Sequence, residues 1–261
     1  MLLHSKILGA SENHILILHG FLGSGDNWIT IGRKLNFKGF TVHLIDQRNH
    51  GRSPHSTIFN YEVLANDLLN YIKDHKLKNV ILMGHSMGGK TAMELAVKHA
   101  DLVQKLIIVD ISPKAYPVHH DKIIEGLQSL DFNELKSRSE ADIKLAEYID
   151  DSGVRQFLLK SLYWVEKGQL AFRFNLEVIA DHITEVGKAL ANKMQYKGPS
   201  LFVDGASSAY IVDEDEDLIL EHFPEAEIVT IKDTGHWVHA EQPKRFFDEV
   251  LRFCISDYTK K

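Results

Sequence analysis

The chain has 261 residues, 44% hydrophobic and 25% charged, with 30 basic against 36 acidic side chains and a net charge of -6; this balance suits a globular protein with a sizeable core, and without a long Lys/Arg block it argues against a dedicated nucleic-acid binder. The single cysteine, Cys254, excludes an internal disulfide framework and fits a reducing, cytoplasmic compartment. The opening from Met1 to Gly9 is too short and polar for a signal peptide, and no apolar run reaches the ~18 residues expected of a membrane span.

In chain order, residues 6–9 can supply a short edge strand. Residues 14–18, 41–45, 79–83 and 106–109 are short runs rich in Ile, Leu and Val, which read as buried strands of a mainly parallel sheet. Between them, 27–37, 61–75 and 87–99 carry helical periodicity; Val63, Leu64, Leu68, Tyr71 and Ile72 mark one face of the second. This is βαβ repetition with helices on both faces of the sheet. After Asp110 the rhythm breaks, and 113–195 predicts four helices (120–130, 138–150, 151–162 and 176–191) with no convincing strand. Alternation returns with strands at 200–203 and 227–231 and helices at 215–222 and 243–256, the last opening on Pro243. The acidic run 213–217 reads as a solvated helix start. The fold class expected is α/β: a core of residues 1–112 and 196–261, with 113–195 inserted as a helical cap over the C-terminal sheet edge, where open α/β proteins bind ligands.

The strand at 79–83 runs into Gly84-His85-Ser86-Met87-Gly88-Gly89 and then a helix. This is G-x-S-x-G in strand–turn–helix context. A serine at the tip of such a turn is held in strained backbone geometry, so Gly84 and Gly88 must be small. The helix start directs N–H groups and a partial positive charge toward Ser86, and the Met87 N–H becomes an oxyanion donor. A second loop, His19-Gly20-Phe21-Leu22-Gly23-Ser24, ends the strand at 14–18; Gly20 permits its turn and the Phe21 N–H is placed as the second donor. His19 reads as a brace for this loop. A phosphate loop is disfavoured, because no Gly-Lys-Ser/Thr follows.

A serine nucleophile needs a general base. Of 15 histidines, His236 in Asp233-Thr234-Gly235-His236-Trp237 follows the last strand and is the choice over His239 and His85. Trp237 reads equally as core filling or pocket wall. The third member fixes the histidine tautomer. Its usual turn, after the strand at 200–203, reads Asp204-Gly205-Ala206-Ser207-Ser208-Ala209-Tyr210 and holds a serine where a carboxylate is expected. Asp110, at the end of the neighbouring strand, is preferred over Asp213 and Asp204. In the loop 46–53, Asp46 and Arg48 are expected to lock the segment beside the oxyanion loop by buried pairing, while His50 and Arg52 are placed to reach a charged substrate. His119-His120-Asp121 is a poor metal site, since adjacent helical side chains diverge, and no G-x-G-x-x-G marks a dinucleotide; neither a metal nor a cofactor is expected. In the cap, Tyr163, Trp164 and Phe174 are the leading pocket candidates over Ser86. Lys90 and Lys114 could steer a polyanionic leaving group such as coenzyme A, or be simply solvated.

These residues resemble the α/β-hydrolase superfamily and, within it, the small bacterial YbfF-like esterase/thioesterase family. The specific segments are His19-Gly20 with Gly23-Ser24, Arg48-Asn49-His50-Gly51, Gly84 through Lys90, Asp110-Ile111-Ser112-Pro113, Phe157-Leu158-Leu159-Lys160-Ser161 and Gly235 through Glu241. The resemblance implies an α/β-hydrolase fold and a Ser–His–Asp hydrolase with its acid after the sixth strand, matching Asp110. It implies a small-molecule carboxylic ester of short to medium acyl chain as substrate, with acyl-coenzyme A thioesters as a further class. One departure is Phe172, which stands where the family often has tryptophan. The rival activities are a C–C bond hydrolase or a menaquinone-pathway lyase on the same triad, or a perhydrolase side activity. A non-catalytic binding protein is disfavoured, because no motif residue is lost. The protein is expected to act as a monomer or weak homodimer.

Overall fold

Short apolar runs assemble into one sheet whose five inner strands are buried on both faces, while the two edge strands stay partly exposed. The computed structural model describes residues 1–118, 120–191 and 194–256. The strands are β1 (Ser5–Leu8), β2 (His14–Leu18), β3 (Thr41–Ile45), β4 (Val80–His85), β5 (Val103–Val109), β8 (Ser200–Gly205) and β9 (Ala226–Ile231), in spatial order β1-β3-β2-β4-β5-β8-β9. All neighbours run parallel except the edge strand β1, which pairs antiparallel with β3. On one face, α1 (Ile29–Phe37) and α11 (Pro243–Ile255) pack over Ile15, Ile17, Met83 and Val203. On the other, α2 (Tyr61–Asp74), α3 (Met87–Lys98) and α9 (Glu216–His222) cover Leu16, Leu82, Leu106 and Phe202. Successive residues of each strand therefore feed opposite cores, as the two-residue period of a strand requires.

The segment between β5 and β8 holds α4 (Asp121–Gln128), α5 (Arg138–Leu145), α6 (Ser152–Leu159), α7 (Leu176–Asp181) and α8 (Ile183–Val186). It also holds a hairpin, β6 (Leu162–Glu166) with β7 (Gln169–Phe172), where sequence periodicity predicted helices alone. The hairpin closes through Lys167-Gly168, with Gly168 at φ +85°, a conformation glycine adopts without strain. Inserted segment and core share an apolar cluster: Leu127, Leu145, Leu158 and Ile179 pack in one body with Phe21, Leu22 and Met87.

The two chain crossings into the insertion are tied together. Tyr116 N–H donates to Gly187 O at 2.8 Å and Leu190 N–H to Pro113 O at 2.9 Å. The buried Lys90 of α3 donates to the Lys114 carbonyl and, at 3.0 Å, to the Lys188 carbonyl. Burial, with Lys114 nearby, pulls the Lys90 ammonium down to about 7. The acidic run is not wholly solvated: Asp215 is buried, accepts from Val212 N–H at 3.0 Å and pairs with Lys114 at 2.6 Å. Among the described residues no helix is long and apolar enough to cross a membrane.

Candidate active site

The turn between β4 and α3 bends as its sequence requires. Ser86 sits at φ 51°, ψ -117°, a region costing a non-glycine residue about 1–3 kcal/mol. A Cβ on Gly84 would lie 2.1 Å from Gly88 O, and one on Gly88 would lie 2.5 Å from Leu18 O, so neither position admits a side chain. A Cβ on Gly20 would approach His85 Nδ1 to 2.8 Å, which brings the 19–24 loop directly against this turn.

Asp110 and His236 meet beside it. The Ser86 N–H donates to Val109 O and the Asp110 N–H to Val203 O, so both residues leave the C-terminal ends of adjacent strands. The Asp110 side chain is fully buried. Its Oδ1 accepts from Gly205 N–H at 3.1 Å, and its Oδ2 accepts from Ser208 Oγ at 2.5 Å and from His236 Nδ1 at 2.6 Å. That set satisfies a buried carboxylate that would otherwise be costly. It also leaves His236 Nε2 to act as the acceptor of a neutral ring. Ser208, in the turn where a carboxylate is usual, thus serves the carboxylate that arrives from β5. Tyr210 stacks on the His236 ring at 4.0 Å.

His85 braces the same loop from below, its Nε2 donating to His236 O at 2.9 Å. Burial, then the neighbouring rings of His236 and His239, hold His85 well below the ordinary histidine range, so it is a neutral donor. His239 packs face to face with Trp28 at 3.9 Å. Neither competing acid takes the place of Asp110. Asp204 stays within β8, its carboxyl pushed up to about 6 by burial first and by Asp110 among lesser causes, and Asp213 lies exposed in the 3-10 turn Asp213–Asp215.

His19 bonds within its own loop, whereas the expected Asp46–Arg48 pairing is not formed. His19 donates from Nδ1 to Gly20 O at 2.8 Å and accepts at Nε2 from Gln47 N–H at 3.0 Å. Asp46 and Arg48 do not pair with each other. Asp46 accepts from Gly25 N–H, Arg52 N–H and His4, whereas Arg48 reaches Asp67 of α2 at 2.6 Å. Each finds a nearer complement than the other, and both still fix the loop 46–53. His50 is buried and lines neither cavity at Ser86; it accepts from Leu22 N–H at 3.2 Å and holds the 19–24 loop.

Two cavities meet at Ser86. One, of about 290 Å³, is lined by Phe21 and Met87 and by the apolar or aromatic Tyr61, Ile111, Tyr116 and Val186. The other, of about 730 Å³, holds Ser86 with His236, Trp237 and Phe157. Trp237 is therefore a wall, its ring 5.9 Å from Phe157. The other aromatic candidates are displaced. Tyr163 and Trp164 lie on β6, where Trp164 is 50% exposed and Tyr163 lies beneath Arg173. Phe174 is buried in the apolar cluster that the insertion shares with the core, stacked on Phe172 at 4.5 Å. The unrecognised hairpin turned these side chains away from Ser86. Lys90 is likewise engaged elsewhere, as above, whereas Lys114 does line the smaller cavity, its ammonium paired with Asp215. His119, of the rejected metal cluster, lies outside the described residues, and His120 packs edge-on to Phe21 at 4.9 Å.

The wall residues missed from sequence fall into two groups. Tyr116 follows the Asp-Ile-Ser-Pro segment directly, so a chain leaving the sheet edge beside Ser86 was a usable signal. Tyr61 and Val186 come from distant segments with no local signature.

The family model described as alpha/beta hydrolase fold matches residues 13–243, and the chain belongs to that family. It is 36% identical over 246 residues to the sn-1-specific diacylglycerol lipase ABHD11 of Mus musculus, covering 92% of this chain and 80% of that protein. It is 35% identical over 246 residues to Esterase YbfF of Escherichia coli K12, covering 93% and 91%. A solved structure described as a marine microorganism esterase superposes with a TM-score of 0.93 at 44% identity, covering 97% of this chain and 99% of that one.

Proposed function

We propose that this α/β-hydrolase is a serine esterase that cleaves carboxylic esters through an acyl-enzyme on Ser86, with His236 as base and Asp110 as its partner acid. The observation that carries the reading is the 2.6 Å contact between His236 Nδ1 and the fully buried Asp110, made within the cleft that also holds Ser86. The esterase and lipase relatives support it.

His236 Nε2 takes the Ser86 proton as Oγ attacks the ester carbonyl, and Asp110 stabilises the imidazolium that forms. The N–H groups of Phe21 and Met87 hold the oxyanion. The tetrahedral centre collapses, His236 passes the proton to the departing oxygen, and the acyl group remains on Ser86. Water then repeats the sequence, releasing the acid and restoring Ser86. The apolar cavity takes the acyl chain. Its volume of about 290 Å³ is at the small end of the ~300–1,000 Å³ usual for ligand pockets, which favours short to medium chains.

The test is turnover of p-nitrophenyl butyrate together with fluorophosphonate labelling. The parent is expected to hydrolyse the ester and to label once, and Ser86→Ala to do neither while keeping the parent's circular dichroism. Parent-like turnover by Ser86→Ala would remove the proposal.

A further inference from the structure

An ester attacked by Ser86 points its two halves in different directions, and the position of His236 decides which half goes where. The departing oxygen takes its proton from His236 Nε2, so the alcohol lies on the histidine's side of Ser86. Ser86 lines both cavities, whereas His236 lines the one of about 730 Å³ and not the one of about 290 Å³. The larger space therefore receives the alcohol, and the smaller one the acyl group.

The walls set what fits in each. Those of the small cavity are cross-tied: Tyr61 Oη donates to Val186 O at 2.7 Å, joining α2 to α8, and Tyr116 N–H donates to Gly187 O at 2.8 Å. All four residues line it, so the acyl space cannot widen without breaking these bonds. The large cavity presents an unfinished apolar wall. Ile123 of α4, Val154 and Phe157 of α6, and Trp237 beside the catalytic histidine all line it, and all four are only half-buried. Apolar side chains left partly exposed in a cleft favour a ligand that covers them. The charged residues of this cleft do not oppose such a ligand. Asp151, Lys160 and Glu241 are exposed; Asp151 accepts from Gly153 N–H and Val154 N–H, and Glu241 from Gly235 N–H and Trp237 N–H. The imidazoles of His19, His85 and His239, which also line it, are kept neutral by burial.

We propose that the substrates are esters whose alcohol is the bulky, apolar half: a short acyl group on a large hydrophobic alcohol, its ring or chain laid along Phe157 and Trp237. This rests on the esterase reading above and adds the class of leaving group. An apolar group bound away from the carbonyl strengthens ground and transition states alike, so it acts through KM.

Two constitutional isomers test this: 3-(1-naphthyl)propyl acetate, with its ring on the alcohol, and ethyl 3-(1-naphthyl)propanoate, with the same ring on the acid. Propyl acetate and ethyl propanoate give the respective baselines. The parent is expected to gain about tenfold or more in kcat/KM from the ring on the alcohol, the low end of what burying an aromatic group yields. From the ring on the acid it should gain at most about twofold. Phe157→Ala should remove most of the alcohol-side gain by raising KM, and Phe157→Leu, which keeps an apolar body there, should retain part of it. No gain from the alcohol-side ring, an equal or larger gain from the acyl-side ring, or Phe157 variants that lower naphthyl and small substrates by the same factor each overturn the proposal. If the parent turns over neither p-nitrophenyl butyrate nor any of these esters and fluorophosphonate fails to label Ser86, the esterase reading has failed instead. Ligand-detected nuclear magnetic resonance with Ser86→Ala and 3-(1-naphthyl)propan-1-ol then judges the cleft alone. Binding that Phe157→Ala weakens supports an apolar alcohol site; no binding, or binding indifferent to that change, overturns it.

Discussion

At the scale of single residues, the decisive arrangement is a carboxylate reaching the histidine from an unaccustomed strand. Asp110 was legible because its position is one-dimensional: an aspartate closing an apolar strand, one strand over from the serine, in a chain whose usual acid turn holds Ser207 and Ser208. Ser208 was not legible as a partner, since nothing in a sequence marks a hydroxyl that serves an acid 98 residues away. The arrangement predicts that Asp110→Asn lowers kcat on p-nitrophenyl butyrate at least about 10²-fold, because the amide no longer fixes the productive tautomer. Asp213→Asn, altering an exposed side chain of the 3-10 turn, should stay near the parent; a larger loss there than at Asp110 would reassign the acid. Ser208→Ala removes one of three donors to the Asp110 carboxylate. It should lower kcat by roughly tenfold, the cost of one charge-assisted hydrogen bond of about 1.5 kcal/mol, with Ser208→Thr recovering much of the loss.

At the scale of elements, the geometry of the turn at Ser86 was legible and the insertion only partly so. The turn is local: steric exclusion at Gly84 and Gly88 follows from a sharp bend regardless of what surrounds it. Gly88→Ala would drive a Cβ to within 2.5 Å of Leu18 O and 2.6 Å of His19 O, both backbone atoms of β2 and its loop. It should cost at least about 3 kcal/mol, a fall in Tm of roughly 6–12 °C for a chain of this size, read by thermal melting. The hairpin β6–β7 was hidden because its strands are short and follow a helical stretch without a break. The alternation from Leu162, buried, to Tyr163, half-buried, fades into exposed residues by Trp164, so only the Lys167-Gly168 turn and the aromatic and β-branched composition signalled strand. Lys90 was legible as a cation near the site but not as a clasp, since its acceptors are backbone carbonyls of Lys114 and Lys188. Lys90→Met would leave both carbonyls without that donor. It should raise KM for p-nitrophenyl butyrate and speed limited proteolysis between residues 114 and 188, while Tm falls less than in Gly88→Ala. Unchanged proteolysis would deny Lys90 that role.

At the scale of the whole molecule, the layered sheet was legible from apolar alternation, whereas the cavities were not, because their walls are assembled from segments far apart in sequence. The same assembly buries several histidines as neutral acceptors or donors, and this sets the acid response. Burial, the leading cause in each case, holds His50 and His239 down to about 3 and His43 to about 4, and lowers His19 and His85 as well. An unfolded histidine titrates near 6.5. Between that value and the folded ones, the unfolded chain binds more protons than the native protein, so stability falls as pH drops through the window, by up to about 1.4 kcal/mol per pH unit for each proton. Asp204, raised to about 6 from an ordinary 3.8, has the opposite sign: the native protein binds its proton first, and stability gains as pH falls between those values. One carboxyl offsets one histidine and leaves several uncompensated. Lys90, at about 7 in the native protein against an ordinary 10.5, has the sign of the histidines in a higher window, so urea unfolding should show stability already falling as pH drops from 8 to 7 and a steeper loss below about 6.5, where the histidines join it. His239, packed on Trp28, offers the check on cause. In His239→Phe one titrating group is gone, so the slope of stability against pH between about 4.5 and 6 should shrink by about one proton. The absolute stability at pH 7.5 depends on how well the new ring packs, and does not bear on that slope. A parent whose stability stays flat down to pH 4.5 would mean that the buried rings take up protons without unfolding cost. The hydrogen bond from Leu22 N–H to His50 Nε2 forbids that, because a protonated ring has no acceptor left to offer.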